Sequence, residues 1–546
     1  MVLQTSNDTT IPMKKTLLYF LFAFLYVNFA YSQEIPVNIA NKGIYDFIDE
    51  LTVARIIDAN TITKPYSRKQ IGEWLLEANS KKSQLSSRQA KELEFYLRDY
   101  YKDISGYQPK RKRFDVFYYS DTNFSVTINP ILGGYAYKNS NDMVYGRYAG
   151  AEAYGKLGKN WSYYINLRDS YESTSLRKNN YLTQNRGAVV KYNKADSSIE
   201  FNEINGGISY GWGWGSISLV KENVEWGSGY NSTNIFSGHS PSFAMIKLRV
   251  TPVKWLDFSY FHGWLVSNVI DSSTINLDNK RPRWEYYGKY VAANMATIRP
   301  TKWMDFSIGS SVIYSYRTPQ LPYFIPIMFF KAVDHWYSNL TDNTDQNSQM
   351  YIDLRLRPVK GLSIYGSLFV DEIGISRMFD KSKQSNQISS KAGFTLQNWP
   401  ISNVGITTEY TRSNPYVFNH WVDVQTFATN TYNLGHYLRD NSDELYLKAY
   451  TKPIKNLLIN FEYINARKGP NYRMEKTTSW GKDFISEVRW QRKALIGSIT
   501  YQPTNDLYIN LGVENSHISG PDINLYTPKF MQGKTTTIFG GINFGF

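Results

Sequence analysis

The chain of 546 residues contains no cysteine, which excludes disulfides, thiolate chemistry and any metal site ligated by cysteine. Its mean hydropathy of −0.44, and the lack of an apolar run of about 18 residues after residue 32, exclude a protein that crosses a membrane with helices, but not a secreted soluble protein or a β-barrel. The formal net charge of +14 suits contact with anionic envelope glycans or lipid phosphates, and it is equally compatible with solvated loops and a water-filled lumen.

Residues 1–32 have the pattern of a secretory signal peptide. A lysine pair at 14–15 precedes an apolar run over residues 16–30, which ends in small residues at the positions that signal peptidase reads. We therefore expect cleavage before Gln33, and a true start at Met13 because the lysine pair follows it directly. The alternative is an uncleaved N-terminal anchor, although the apolar run is short for a membrane span.

Residues 33–110 are predicted to form a small helical module. Ser67 and Ser86 each precede a glutamine by three residues, Gln70 and Gln89, which is the capping-box pattern that begins a helix. An earlier helix is predicted from the apolar residues on one of its faces, which are Ile44, Phe47, Ile48 and Leu51. Three short amphipathic helices bury little surface alone, so we expect the module to pack against the rest of the protein.

From about residue 111 onward the hydrophobic period changes from that of helices to that of strands. A short turn recurs in this segment and is followed each time by alternating residues; its prolines are Pro252, Pro300, Pro358, Pro400, Pro453 and Pro503. Because proline cannot donate a ladder hydrogen bond, these positions mark where strands reverse. Further short turns are predicted near Gly158 and Gly215.

The spacing of these turns predicts a mainly β fold, an outer-membrane β-barrel of about 18 antiparallel strands over residues 111–546. Each interval between turns holds two strands and one longer polar loop, and this alternation is not expected of the alternatives, a large β-sandwich or a propeller. An even strand number puts both chain ends on the periplasmic side, so we expect the module to cover that mouth. The chain ends in an alternating strand closing on Phe546, which is similar to the address read by outer-membrane assembly machinery.

The sequence has no recognisable catalytic or metal-binding motif. The six histidines are scattered without the close spacing that metal ligation on one element requires, and no phosphate-binding loop or nucleophile elbow is present. Asp443 and Glu444 are adjacent carboxylates, the residue type that glycosidases use, but nothing separates them from ordinary loop charges. We therefore predict a protein that is not an enzyme and that uses no metal and no cofactor.

Two segments, residues 224–243 and 414–444, are too aromatic and too irregular for plain loops. Aromatic faces beside Asn, Asp, Ser and His suit sugar rings, which stack on the aromatic faces and offer hydroxyls to the polar groups. The same composition also fits loops that fold inward and seal the barrel. The candidate residues for glycan contact or for a lumen plug are Trp226, Tyr230, Asn231, His239, Phe243, Tyr416, His420, Trp421, His436 and Glu444.

Several short motifs together resemble one known family. They are residues 45–51 (YDFIDEL), 64–68 (KPYSR), 226–229 (WGSG), 240–243 (SPSF), 434–436 (LGH) and 441–444 (NSDE). This combination is similar to the Wzi capsule-assembly family in the form found in Bacteroidetes. The resemblance implies an 18-stranded outer-membrane barrel, a periplasmic helical bundle at one mouth, and a role in holding capsular polysaccharide or exopolysaccharide at the cell surface.

The favoured hypothesis is a non-enzymatic protein of the cell outer membrane that binds or anchors surface polysaccharide through its long loops. Two alternatives stay open, a porin-like diffusion channel and an accessory subunit of a surface adhesion, gliding or secretion complex. The expected partners are outer-membrane lipid and lipopolysaccharide, surface polysaccharide and other envelope proteins, and no nucleic acid is expected.

Overall fold

The computed structural model describes residues 34–193, 195, 197–276, 283–341, 346–374, 386–474 and 481–545, with the side chains of residues 337–341 left out. The predicted signal peptide and the terminal Phe546 lie outside these residues.

The N-terminal module contains three α-helices, α1 (Lys42–Val53), α2 (Arg68–Ser80) and α3 (Ser87–Tyr100), and two short 3-10 helices, Lys82–Gln84 and Tyr101–Asp103. The predicted capping boxes are confirmed, because Ser67 and Ser86 each accept the backbone N–H of the glutamine three residues on. The apolar faces of the helices pack mainly on one another, which buries Ile44, Phe47, Ile48 and Leu51 completely. Within the described part of the chain, no helix has the length and apolar character needed to cross a membrane.

The rest of the chain forms a closed barrel of 18 antiparallel strands. In chain order they are β1 (Phe124–Lys138), β2 (Met143–Leu157), β3 (Trp161–Glu172), β4 (Ile199–Trp212), β5 (Gly215–Glu222), β6 (Phe243–Val253), β7 (Leu256–Leu265), β8 (Lys289–Thr301), β9 (Met304–Tyr314), β10 (Gln346–Leu356), β11 (Leu362–Glu372), β12 (Gln387–Gln397), β13 (Val404–Ser413), β14 (Ser442–Thr451), β15 (Leu457–Lys468), β16 (Trp490–Thr504), β17 (Leu507–Ser519) and β18 (Gly533–Phe544).

The last strand closes the barrel on the first, as the alternating C-terminal segment predicts. Phe544 of β18 lies opposite Leu132 of β1, and Ile538 lies opposite Lys138. A short strand ahead of β1, Phe117–Ser120, pairs with the first part of β1, on the edge that β18 occupies further along. Closure leaves no free edge among the barrel strands, which is the condition for a sheet to cross a membrane.

The connections alternate between short turns at one end of the barrel and longer loops at the other. Eight short turns occupy residues 158–160, 213–214, 254–255, 302–303, 357–361, 398–403, 452–456 and 505–506. The predicted reversals at the prolines are confirmed, with Pro252, Pro300 and Pro503 in the last residues of their strands, where the pairing register shifts. The long-loop end carries residues 173–198, 223–242, 266–288, 315–345 and 414–441 among its connections.

The outer wall of the barrel is apolar. Side chains exposed on it include Ile165, Ile217, Leu368, Leu495, Leu511 and Ile538. Exposed tryptophans lie in the short turns, at positions 255, 303 and 399, or next to one, at position 161. An apolar band bordered by an aromatic girdle is the surface of a membrane-spanning barrel, and the girdle marks the membrane boundary at the short-turn end.

Candidate functional site

The barrel lumen contains a small sheet that joins the module to an inward-folded loop. The strand Thr63–Lys64 pairs with Glu225–Trp226, and Glu225–Trp226 pairs with Phe236–Ser237. Thr63 and Lys64 follow α1 at the short-turn end, whereas the other two strands belong to the loop between β5 and β6 at the long-loop end. Segments that enter the barrel from its two ends therefore meet and hydrogen-bond inside it.

A buried ion pair strengthens this sheet. The Lys64 ammonium lies 2.6 Å from a Glu225 carboxylate oxygen, and Lys42 lies 3.9 Å from the other. Burial by itself raises the pKa of Glu225, but the two ammonium groups outweigh it and lower the pKa to about 2. The carboxylate is therefore ionised throughout the neutral range, and the pair persists there.

Aromatic side chains from both predicted segments form an apolar core against the inner wall. Trp226 packs edge-on against Phe261 of β7, with ring centroids 5.0 Å apart, and Phe236 lies 5.3 Å from Phe427. The same core includes Phe243, Phe369, Val417, Phe418 and Leu434. The loops 223–242 and 414–441 thus meet inside the barrel, and each covers apolar residues of the other.

Carboxylates on the inner wall hold the loop between β5 and β6 by its backbone. Asp353 of β10 accepts the N–H of Ser228 at 2.6 Å, and Glu409 of β13 accepts the N–H groups of Tyr230 and Asn231 at 2.6 and 3.0 Å. Hydrogen bonds from N–H groups to buried carboxylates are stronger than neutral ones. These two lumen-facing carboxylates therefore act as fixed anchors for the loop.

The remaining predicted residues divide between buried and partly exposed positions. Glu444 accepts the amide of Asn231 at 2.8 Å and the hydroxyl of Tyr437. His436 is fully buried beside it, and burial lowers the pKa of this imidazole although Glu444 opposes the shift. Tyr416 is also buried. His420 and Trp421 are half-buried at the long-loop mouth, with ring centroids 5.4 Å apart.

Three charged residues that the sequence analysis did not single out prove central to this arrangement. They are Asp353, Glu409 and Lys391, of which Lys391 lies 3.0 Å from Glu409 with both side chains buried. All three stand at inward positions of amphipathic strands, where a charge is ordinary in a barrel. Their buried neighbours on the inner faces of β12 and β13 are also polar, among them Ser389, Thr407 and Thr411, so no local sequence signal sets these charges apart.

The module is attached to the short turns mainly through polar groups. Glu50 of α1 accepts hydrogen bonds from Lys452 and Asn398, both at 2.8 Å, and pairs with Arg88 of α3. Burial raises the pKa of Glu50, but the Lys452 and Arg88 cations outweigh it and lower the pKa. Further contacts to the short-turn side are Asp49 with Arg355, Asp58 with Arg299, Glu92 with Asn456 and Arg113 with Asp506.

A polar cavity remains between the module, the inward-folded loop and the inner wall of β14–β18. Its volume is about 570 Å³, and charged and polar side chains lining it include Lys42, Asp46, Tyr230, His239, Lys448 and Glu462. Tyr230 crosses from the loop to α1, where its hydroxyl donates to Asp49. Lining groups of both signs favour water and ions over an apolar ligand.

No protein-family model and no curated protein sequence matches the chain. Among solved structures, the chain is similar to Wzi of Escherichia coli, described as a carbohydrate-binding β-barrel of the outer membrane involved in group 1 capsule assembly. The TM-score is 0.55 at 12% identity, over 94% of this chain and 100% of that one. The chain has a Wzi-like fold. This confirms the resemblance at the level of fold, and the Bacteroidetes form stays a prediction.

Two barrels of Pseudomonas aeruginosa are also similar to parts of this chain. OccD3 covers 77% of this chain and 90% of its own length at 10% identity, with a TM-score of 0.44. OprD covers 77% of this chain and 94% of its own length at 10% identity, with a TM-score of 0.41. At these scores they support no argument about this chain.

Proposed function

We propose that the chain is a non-enzymatic outer-membrane protein that holds polysaccharide at the cell surface, with its short turns and module on the periplasmic side. The observation that carries the proposal is the filled lumen. Two loops and the strand Thr63–Lys64 meet inside the barrel, so the long-loop end is left as the surface that a large polymer reaches. The Wzi-like fold and the formal net charge of +14 support the same function.

The long loops present aromatic residues suited to sugar rings. Trp284 and Tyr286 are 47% and 54% exposed on the hairpin Ile270–Asn276 and Arg283–Tyr286. His420 and Trp421 form a second pair at the mouth. Such faces stack on the C–H side of a pyranose while charged and amide groups bond its hydroxyls. The buried candidates, Trp226 and Phe243 among them, hold the loops in place behind these surfaces.

The first experiment is deletion of the gene in its native cell, followed by measurement of cell-associated and shed polysaccharide. We expect polysaccharide to move into the medium while total synthesis is unchanged. Complementation with the Trp284→Ala/Tyr286→Ala variant should return a folded barrel to the membrane without restoring retention of polysaccharide on the cell. Trp399→Ala, an exposed tryptophan beside a short turn at the opposite end, is the matched control and should retain as the parent does.

Unchanged retention in the deletion strain would reject the proposal outright. Full retention by the hairpin variant would instead place glycan contact on other residues, with His420 and Trp421 next to test.

The porin alternative is tested by recording from purified protein in planar bilayers. Because the lumen is filled by loops 223–242 and 414–441, we expect no stable conductance, whereas an open channel of this strand number would conduct. A large, stable conductance from the parent protein would favour the diffusion channel. Co-purification of another envelope protein in fixed proportion would favour the accessory subunit.

A further inference from the structure

One long loop runs back along the outside of the barrel instead of into it. Residues 315–330, here called the flap, follow β9. They lie over the outward-facing side chains of β7, β8, β9 and β10 near the long-loop end of the barrel. The ring of Phe324 stacks on His262 of β7, with centroids 4.1 Å apart. Phe330, at the end of the flap, is fully buried with Tyr290 and Tyr314.

The wall beneath the flap carries a row of polar groups at a height where a barrel wall is normally apolar. Tyr260, Asn294 and Ser310 point outward from β7, β8 and β9, in register with one another. With a rise of ~3.4 Å per residue and a strand tilt of ~40°, Ser310 lies roughly 18 Å above Trp303, inside an apolar band ~25 Å tall. The position on β17 at the same distance from its turn is Val513, which is 44% exposed.

These polar side chains bind the backbone of the flap. Tyr260 donates its hydroxyl to the carbonyl of Tyr323 at 2.7 Å, and Asn294 donates its amide to the carbonyls of Pro326 and Met328 at 2.9 and 2.6 Å. Ser310 accepts the N–H of Phe330 at 3.2 Å. The irregular backbone therefore turns its polar groups toward the wall.

From residue 321 onward, the exposed side chains of the flap are apolar. Leu321 and Ile327 are 82% and 81% exposed, and Ile325 and Phe329 are 43% and 50% exposed. They continue the apolar band of the neighbouring strands at the same height. Irregular backbone is tolerated in the hydrocarbon layer only where its polar groups are satisfied by protein, and the wall residues meet that condition.

We infer that residues 321–330 of the flap are embedded in the membrane, with Leu321, Ile325, Ile327 and Phe329 in contact with the acyl chains of the outer leaflet. The continuity of these residues with the apolar band identifies the occupant as lipid. The polar residues of β7–β9 are explained by the same arrangement, because they satisfy a backbone that lipid cannot. The inference is independent of polysaccharide binding and stands on the barrel wall alone.

The absence of cysteine allows a direct test with single-cysteine variants of the full chain. Leu321→Cys and Ile327→Cys report on the flap, Leu511→Cys reports on the bare apolar wall, and Ser140→Cys in the turn between β1 and β2 reports on water. On intact cells, a charged maleimide should modify the flap cysteines about tenfold or more slowly than the cysteine at 140, and as slowly as that at 511, because an apolar environment suppresses the thiolate.

Purified variants labelled with bimane and reconstituted in phosphatidylcholine vesicles give the second readout. Brominated acyl chains should quench the flap labels as strongly as the label at position 511, and leave the label at position 140 unchanged. Labels that are unquenched, with cysteines as reactive as that at 140, would overturn the inference. Cysteines shielded in native membranes but reactive and unquenched in lipid vesicles would also overturn it, by showing that a protein covers the flap.

A further variant tests the role of the polar wall. Asn294→Ala removes both amide bonds to the flap, and we expect the cysteine at 327 to gain reactivity in that background. Asn515→Ala, on the bare wall of β17, is the matched control and should change nothing. Heat-modifiability on gels checks that both barrels are folded; a folded Asn294→Ala barrel with unchanged reactivity would show that the wall does not hold the flap in the membrane.

Discussion

The two ends of the lumen are closed by different chemistry. Toward the long loops, the closure is an aromatic core in which Trp226 and Phe236 pack on the inner wall. At the short-turn end it is a set of buried and half-buried ion pairs, with Glu50 and Asp99 bound by cations from α3, the short turns and the segment that follows the module. An apolar core depends little on pH, whereas buried carboxylates depend on it strongly, so the two closures should separate under different challenges.

The largest effect is expected from Trp226→Ala. The side chain is 1% exposed, and its removal leaves a cavity that costs about 3–5 kcal/mol. The inward-folded loop should then detach in part of the population and give a conductance in planar bilayers that the parent lacks. Trp255→Ala, at a 53% exposed girdle position, is the control and should give no conductance, like the parent. If neither variant conducts, the aromatic core does not hold the loop in the lumen.

Glu50→Gln should open the opposite closure. The change leaves the buried cations of Arg88 and Lys452 facing a neutral amide, and breaking a buried pair in this way costs about 3 kcal/mol. We expect faster proteolysis at the exposed segment near Gly106 with the barrel intact. Adding Lys452→Met should recover part of the loss, because Arg88 keeps Glu92 as its partner. Equal cleavage of parent and variant would contradict an ionic closure.

Acid should release the module before it disturbs the aromatic core. The pKa of Glu225 is lowered from 4.5 to about 2, so its stabilisation is complete above pH 4.5 and is lost as the pH falls toward 2. The pKa of His239 is lowered by burial from 6.5 to about 4, so protonation of the unfolded state already reduces stability between pH 6.5 and 4. Each of these two pKa shifts changes the free energy of unfolding by up to about 3 kcal/mol.

An acid-active protease applied between pH 6.5 and 2.5 measures this release. Cleavage of the module should increase steadily toward low pH, and Glu225→Gln should flatten the part below pH 4.5. A pH-independent cleavage rate would contradict the prediction.

The smallest effect is expected from Ser67→Ala at the N-cap of α2. The hydroxyl accepts the N–H of Gln70 at 3.2 Å, and losing such a cap costs about 1 kcal/mol. Thermal unfolding of the module should shift slightly downward, while Ser83→Ala, at an exposed position in a 3-10 helix, should leave it unchanged. Equal melting of the two variants would show that the capping box contributes nothing measurable.

Much of the fold could be predicted because it depends on local rules. Proline cannot donate a ladder hydrogen bond, so the recurring turn motif at Pro252 and Pro453 marks strand reversals, and Ser67 and Ser86 begin helices through bonds to residues three positions away. The candidate site was predicted less fully. Residues 224–243 and 414–444 were recognised as unusual, but their composition fits glycan contact and lumen filling equally well, and the anchors Asp353 and Glu409 carried no distinguishing local pattern.

The amino-acid sequence by itself determined the strands, their turns, the closing C-terminal segment and the helix starts, because alternation and capping act over a few residues. Only the tertiary structure decided which loops fold inward, which loop returns along the outer wall, and how the module is attached. Those outcomes depend on partners far apart in the chain, such as Lys64 with Glu225 or Asn294 with Met328. A pairing across such distances is selected by the shape of the closed barrel, which exists only after the strands have assembled.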